Sequence, residues 1–566
     1  MDIKKRGGRL LMPCNRYRGS GALAAARAAI AAVTISIVGT GVALAYIGPS
    51  FMQVPGISGG WQGTKYKNWI RIEASYWGTT PSGFGREPIG GNRTFFSGPM
   101  APRQGAGRLA FSIDKHDPVL SSLMDQCLKK EKIPEVAYSE SSELSRPSRE
   151  LGLRPAAIPD FFEYKLTDVE VSCPVVADAP QQAFIFDFGD IRWLNYHGKD
   201  KEVSRLVPAK LPPTETSGAT KAFVVTWISG AVDSSEDQCP APVSKPSEDD
   251  YYALRPKDDA EKERAERASR GGIAAIALGG QMAYRGPDKL NVCRLPGIVR
   301  DPGHPEPQTN IARGFNLDGD DGTGDPPAST RKHKNYVSAD GQSGIDNQLM
   351  TVTGCIPGFR RNGLLSMTSN EGRRSGLLSI LVVVSGIDNE QNDDSVDVTL
   401  LYSKTPMAKN ATGSQILPDY TFAVSVKPEF TQNFARLHGR IVNGVVVTEA
   451  TKRLPIDEGG EQRIILEDAR IRLQFMSDGT MKGIVAGYED WRELMNFWAA
   501  AGGGFEAGMG YQCPGVYSAL KRAADGLRDP VTGEYNGISE AFDIEGVPAF
   551  IPPEQRSALL AGAKMR

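Results

Sequence analysis

The sequence predicts a mainly β protein. It begins with an N-terminal transmembrane helix, followed by a small β-barrel and then a distal, jelly-roll-like β-sandwich with a helical C-terminal segment. Three observations carry this reading. Glycine and proline are abundant, at 62 and 38 residues, which favours many turns and short strands over long helices. Several segments alternate apolar and polar residues, and "IRIEASYW" at Ile70–Trp77 is the clearest; a period of two is the mark of a half-buried strand. The run Ala28–Ile47 carries no charge at all, and as a helix it would span roughly 30 Å, the thickness of a bilayer's hydrocarbon core.

The flanks of that run set its orientation. Lys4, Lys5, Arg6, Arg9, Arg16 and Arg18 precede it, and no Lys or Arg follows until Lys65. The positive-inside rule then leaves residues 1–27 in the cytoplasm and exports the rest. A cleaved secretory signal is the alternative, since Ala43-Leu44-Ala45 fits a small-x-small cleavage site. The length of the run favours a retained anchor, with the lipid bilayer as a partner through residues 28–47. The net charge of −2 gives no global basic field, so nucleic acid is not expected as a partner.

Cysteine usage agrees with export. Cys14 stands before the apolar run, and Cys127, Cys173, Cys239, Cys293, Cys355 and Cys513 follow it. Six cysteines in an oxidising compartment predict disulfides, although their connectivity is not deducible from spacing. Cys239–Cys293 is the expected pair, because both flank the same linker. No CxxC occurs, which argues against a redox or zinc module.

Residues 57–200 form the first exported unit. Its strand candidates are Trp69–Trp77, Arg108–Asp114, Phe161–Ser172 and Ala183–Tyr196. The one helix candidate, Pro118–Lys130, places Leu120, Leu123, Met124 and Cys127 on one face. Residues 201–310 read as a linker region holding the strand Lys221–Gly230 and a charged helix, Pro256–Gly272, of interspersed signs. Residues 311–490 carry the sandwich signals. These are the apolar run Leu377–Gly386, the alternating Ser395–Lys404, and two strands joined by a hairpin turn at Ser477-Asp478-Gly479. Residues 491–566 read as a helical segment, with Trp491, Leu494, Met495, Phe497 and Trp498 clustered, and a solvent-facing tail from Pro548.

The order of motifs in the first unit resembles the hemolysin-coregulated protein (Hcp) family, which forms the tube of type VI secretion. An early strand ends in Trp77-Gly78. A later one leads through Phe111 into Lys115-His116-Asp117-Pro118 and Leu120, and a short helix covers Leu123–Cys127. Lys130 to Ile133-Pro134 follows, then Tyr164-Lys165-Leu166-Thr167-Asp168-Val169-Glu170-Val171-Ser172. Phe184, Phe186, Phe188, Ile191, Trp193 and Tyr196 close the domain. The resemblance covers about a quarter of the chain. It implies a bacterial protein, a small β-barrel with one flanking helix, and a tendency to self-associate through the barrel. In that reading Trp69–Trp77 is the first long barrel strand, with Ile70, Ile72 and Ala74 on one face. Trp77 closes the core, and Gly78 allows a sharp exit. The chain departs from the family pattern in its N-terminal anchor, its long C-terminal extension, and the insertion Ser145–Asp160 before Phe161.

Candidate chemistry is sparse. The five histidines, His116, His197, His304, His333 and His438, show no i,i+4 pair or other ligand motif, so no His-based enzyme is expected. There is no GxSxG, GxxxxGK[ST] or CxxCH. The sharpest constellation is "GFNLDGDDGTGD", which sets Asn316, Asp318, Asp320, Asp321 and Asp325 on a glycine-rich loop, with Asp340 or Asp346 nearby. Alternate oxygen donors on a tight loop suit Ca²⁺. Against this, Asp321 stands where an EF-hand needs glycine, no Glu follows at the twelfth position, and an acidic solvated turn explains the same residues.

These features predict a non-enzymatic structural subunit on the periplasmic side of the bacterial cytoplasmic membrane, bound to an integral-membrane complex. Two alternatives stand beside it. One is an extended Hcp-type component of a type VI secretion system. The other is a carbohydrate-binding or -processing protein built on the sandwich, which would need paired carboxylates in a cleft, drawn from Asp397, Glu467 or Asp468.

Overall fold

A computed structural model describes residues 46–78, 106–141, 161–195, 218–240, 283–457 and 463–552, short breaks inside these ranges aside. Seven strands build the first unit: β1 (Tyr46–Gln53), β2 (Ile70–Gly78), β3 (Gly107–Asp114), β4 (Ile133–Ser141), β5 (Phe161–Ser172), β6 (Gln181–Phe188) and β7 (Asp190–Asn195). They pair in the order β4-β1-β2-β3-β6-β5-β7, and a β4–β5 pairing closes the sheet into a barrel. The expected helix is α1 (Leu120–Lys129). It docks Leu123 and Cys127 on the barrel core and ends on a left-handed Lys130.

The barrel core holds Ile70, Ile72, Trp77, Phe111, Tyr138, Tyr164, Phe184, Phe186 and Phe188. Trp77 is buried and lies edge-on to Tyr138, Tyr164 and Phe188, as the family resemblance implied. Ala74 is a correction. It does not share the face of Ile70 and Ile72 but packs outside the barrel with Tyr76. The β1–β2 register shifts by one residue between the pairs Ile47↔Ala74 and Ser50↔Ile72, with the extra residue on β1, and the inward side of β2 itself changes between Ile72 and Trp77, which both lie in the barrel core at an odd separation. Two further differences concern strand ends. Trp69 precedes β2 and is half-buried against Tyr66. The single strand expected over Ala183–Tyr196 is two strands, broken at Gly189.

The second unit is also a closed barrel, not a sandwich. Its strands are β8 (Ala219–Gly230), β9 (Ser379–Ile387), β10 (Asn392–Ser403), β11 (Ala435–Val442), β12 (Val445–Thr448), β13 (Arg463–Phe475), β14 (Met481–Asp490) and β15 (Tyr535–Phe550). Each pairs antiparallel with the next, and β15 pairs with β8 to close the ring. The closing strands come from the expected linker and from the expected helical tail. Closure removes the exposed edges that two open sheets would leave. Inward residues such as Val382, Val398, Leu437, Ile471, Val485 and Ile544 fill the interior.

A helical layer cements the two barrels. It contains α2 (Gln348–Thr353), α3 (Leu364–Arg374), α4 (Trp491–Ala500) and α5 (Cys513–Ala523). One continuous core joins the outer face of the first barrel (Ala74, Tyr76, Ala110, Ala183, Ile185) to Trp491, Trp498, Tyr511, Val516 and Leu520. Gln181 bridges the parts, accepting from Ser112 Oγ at 2.7 Å and donating to Tyr517 Oη at 2.9 Å. Arg71 of β2 meets Glu534 at 2.8 Å, and Arg492 of α4 meets the same carboxylate at 3.3 Å.

Three disulfides staple the fold: Cys127–Cys173, Cys239–Cys355 and Cys293–Cys513. The expected Cys239–Cys293 pair is therefore a correction. The cysteines that flank the linker each reach a distant element, because packing rather than sequence proximity sets which Cα atoms come within bridging range.

Among the described residues no helix is long and apolar enough to cross a membrane. The predicted transmembrane helix lies outside the described residues except at its end, where Tyr46 and Ile47 begin strand β1. The charged helix expected over Pro256–Gly272 likewise falls almost wholly outside them.

Candidate cation centre

The outer face of β14 and β15 carries Tyr488, Ser539 and Ala541. Residues 311–346 are laid across this face, with Phe315 and Leu317 packed on Ile484, Ala486 and Tyr488. A bridge between Phe315 and Asp346 and a short pairing of Tyr336–Val337 with Ser343–Ile345 fold the segment back on itself. This brings together side chains that are far apart in sequence.

Asp346 is fully buried. Its Oδ2 accepts from the backbone N–H groups of Leu317 (2.6 Å) and Asp318 (3.2 Å), and its Oδ1 lies 2.8 Å from His333 Nε2. The other ring nitrogen of His333, Nδ1, lies 2.8 Å from the Arg331 carbonyl oxygen. Asp318 completes a triad with them, its Oδ2 accepting from Thr330 Oγ1 at 3.2 Å; one donor atom of each of the three residues lies within 4.8 Å of the others. Asp525, immediately before the short strand Gly526–Arg528, lies beside the triad and outside its 4.8 Å grouping. Its Oδ1 accepts from Ser539 N–H at 2.7 Å. Its Oδ2 lies 3.9 Å from His333 Nε2, is fully buried and has no hydrogen-bond partner. Tyr488 Oη, buried in the same region, also lacks a partner.

The electrostatics follow from this crowding. Burial alone would lower the His333 pKa, but its hydrogen bond to Asp346, the charge of Asp525 and the Arg331 carbonyl outweigh it and raise the value to about 9. Burial raises Asp525 to about 7, against the opposing pull of His333 and the Ser539 N–H. Asp318 is also raised, chiefly by burial. Burial and then the charges of Asp525, Asp346 and Asp318 push Tyr488 upward. One imidazole thus sits among three carboxylates in a site largely closed to water.

Of the five residues the sequence suggested for Ca²⁺, the structure brings only Asp318 into this centre. Asn316 Oδ1 accepts from Gly319 N–H, Asp320 Oδ1 from Gly322 N–H, and Asp321 Oδ1 from the N–H and Oγ1 of Thr323. Those oxygens cap turns of their own loop. Asp325 is exposed. Asp346 joins as the sequence allowed. His333 and Asp525 carried no local signal, since neither belongs to a spaced motif.

The carboxylates weighed for a hydrolytic cleft do not converge. Asp397 on β10 lies 3.3 Å from His438, and β11 and β12 stand between it and Glu467 and Asp468 of β13. A different pair, Glu489 and Glu540, meets on the inward face of β14 and β15. They line a cavity of about 60 Å³ with Asn347, Thr353, Phe359 and Trp498. Burial and the neighbouring Glu540 hold Glu489 well above the usual carboxylate range. The grouping of Cys293, Cys513 and Glu506 is not a metal site. Both sulfurs are in one disulfide, and Glu506 accepts from Arg285 and from Cys513 N–H.

No family model and no curated protein matches this chain. Solved structures do, and those compared are type VI secretion proteins. Hcp2 from Salmonella typhimurium is 14% identical, matching 26% of this chain and 81% of its own, with a TM-score of 0.16. Hcp1 from the same organism is 15% identical over 25% of this chain and 80% of its own, with a TM-score of 0.17. A type VI secretion system effector from Yersinia pestis is 14% identical over 26% of this chain and 92% of its own, also at 0.17. The likeness concerns about a quarter of the chain.

Proposed function

We propose that this chain is an exported structural subunit. The apolar run that begins at Ala28, up to the start of β1 at Tyr46, tethers it to the bacterial cytoplasmic membrane, and its two barrels stand on the periplasmic side against an integral-membrane complex. The observation that carries this reading is the disulfide set. All six cysteines after the apolar run are paired, whereas Cys14 precedes the run. Disulfides persist in oxidising compartments and are rare in the cytosol. Two closed barrels joined by one core also suit a protein that works by presenting rigid surfaces. The face of β2, β3 and β6 is already covered by the helical layer, so self-association would use the remaining surface of the first barrel.

The test is fractionation of the native host followed by thiol labelling. The chain should sediment with membranes, resist alkaline extraction, and bind one maleimide per molecule without reductant. Cross-linking followed by mass spectrometry should then capture subunits that span the membrane. Recovery in the soluble cytoplasmic fraction with seven reactive thiols would overturn the proposal.

A further inference from the structure

We propose that Asp318, His333, Asp346 and Asp525 bind one first-row divalent transition cation of the Zn²⁺ class, and that this ion pins the segment 311–346 to the second barrel. His333 is held at both ends of its ring. Both of its ring nitrogens face acceptors: Nδ1 meets the Arg331 carbonyl and Nε2 meets Asp346. With Nδ1–H donating to the carbonyl, Nε2 presents a lone pair to a carboxylate. Only a proton or a cation between them makes that contact favourable. A backbone carbonyl holding the far N–H of an imidazole is the arrangement that orients a metal-ligating histidine.

The second observation is Asp525. A fully buried carboxylate oxygen with no hydrogen-bond partner is costly, yet Asp525 Oδ2 points into this site 3.9 Å from Nε2. It comes from a different part of the chain than the loop, so its position is not a by-product of loop turns. Its free oxygen is what a cation would satisfy.

The donor set selects the metal class. One imidazole and two carboxylates converge, and a shift of Asp525 Oδ2 toward them from its 3.9 Å distance to Nε2 would supply a fourth donor; such a set suits tetrahedral Zn²⁺ and related ions. Ca²⁺ takes six to eight oxygens in an open geometry, and the remaining loop carboxylates are turned away. Two ligands on a tetrahedral Zn²⁺ stand roughly 3.3 Å apart. The present 2.8 Å between Nε2 and Asp346 Oδ1 would therefore open by a few tenths of an ångström, within reach of side-chain torsions.

The experiment uses the full chain in detergent, stripped with EDTA and titrated with ZnCl₂, CoCl₂ or CaCl₂. One equivalent of Zn²⁺ should bind and raise the melting temperature, Co²⁺ should give the intense visible absorption of a four-coordinate site, and Ca²⁺ should do neither. The near-isosteric Asp525→Asn should weaken Zn²⁺ by more than about 100-fold, since loss of even an outer partner costs 10–100-fold. Asp321→Asn should bind as the parent does. If the parent shows no stoichiometric Zn²⁺ and no Co²⁺ absorption, or if Ca²⁺ binds as tightly as Zn²⁺, the proposal is overturned. The parent titration decides the matter even where a variant fails to fold.

Discussion

Trp77 stands edge-on to Tyr138, with 5.5 Å between ring centroids, and the Tyr138 hydroxyl shares a 2.6 Å hydrogen bond with Ser75. One aromatic knot thus ties β2 to β4 through the middle of the first barrel. Trp77→Ala should cost about 3–5 kcal/mol, a large part of a domain's stability. Chemical denaturation followed by circular dichroism measures it. A loss below about 1 kcal/mol would show that the knot does not hold the barrel.

The junction between barrels offers a steric test. A Cβ at Gly297 would lie 2.2 Å from Gln181 Cδ, the residue that links Ser112 to Tyr517. Gly297→Ala should push Gln181 aside and destabilise the junction by about 1–3 kcal/mol. Limited proteolysis should then cut between the units sooner than in the parent. Unchanged digestion would mean that Gln181 moves freely.

The Cys293–Cys513 bridge spans 220 residues and lies in the core between the barrels. Replacing both cysteines by serine should lower stability by about 2–4 kcal/mol. The melting temperature of the double variant, compared with the parent under non-reducing conditions, checks this. Equal melting temperatures would refute it.

The Glu489–Glu540 pair predicts a pH dependence of definite sign. Burial, Glu540, Glu493 and Asp490 raise the folded pKa of Glu489 above its ordinary 4.5. The folded state therefore keeps a proton that the unfolded chain has released. The resulting stabilisation is fully present below about pH 4.5 and is lost as pH rises through the raised value. Glu489→Gln keeps the neutral form at every pH, so it should flatten the decline in melting temperature on the alkaline side. An unaltered pH profile in the variant would count against this account.

Short-range patterns determined much by themselves. Alternation placed β2, β3, β5 and β6, and it set Phe184, Phe186 and Phe188 on one inner face. The Ser477-Asp478-Gly479 turn joined β13 to β14, with Gly479 at positive φ. An even set of cysteines after the apolar run announced disulfides. These signals are local because strand period and turn chemistry act over a few residues. The tertiary structure decided what depends on distant partners. Barrel closure needs β8 to meet β15, whose alternation is interrupted by Gly537, Gly546 and Pro548 and by acidic residues at 540 and 543. Cysteine pairing needs the whole packing. The cation centre needs Asp318, His333 and Asp346 folded against Asp525 from another part of the chain. Each of these is fixed by which faces pack together at long sequence separation, and no local periodicity encodes that.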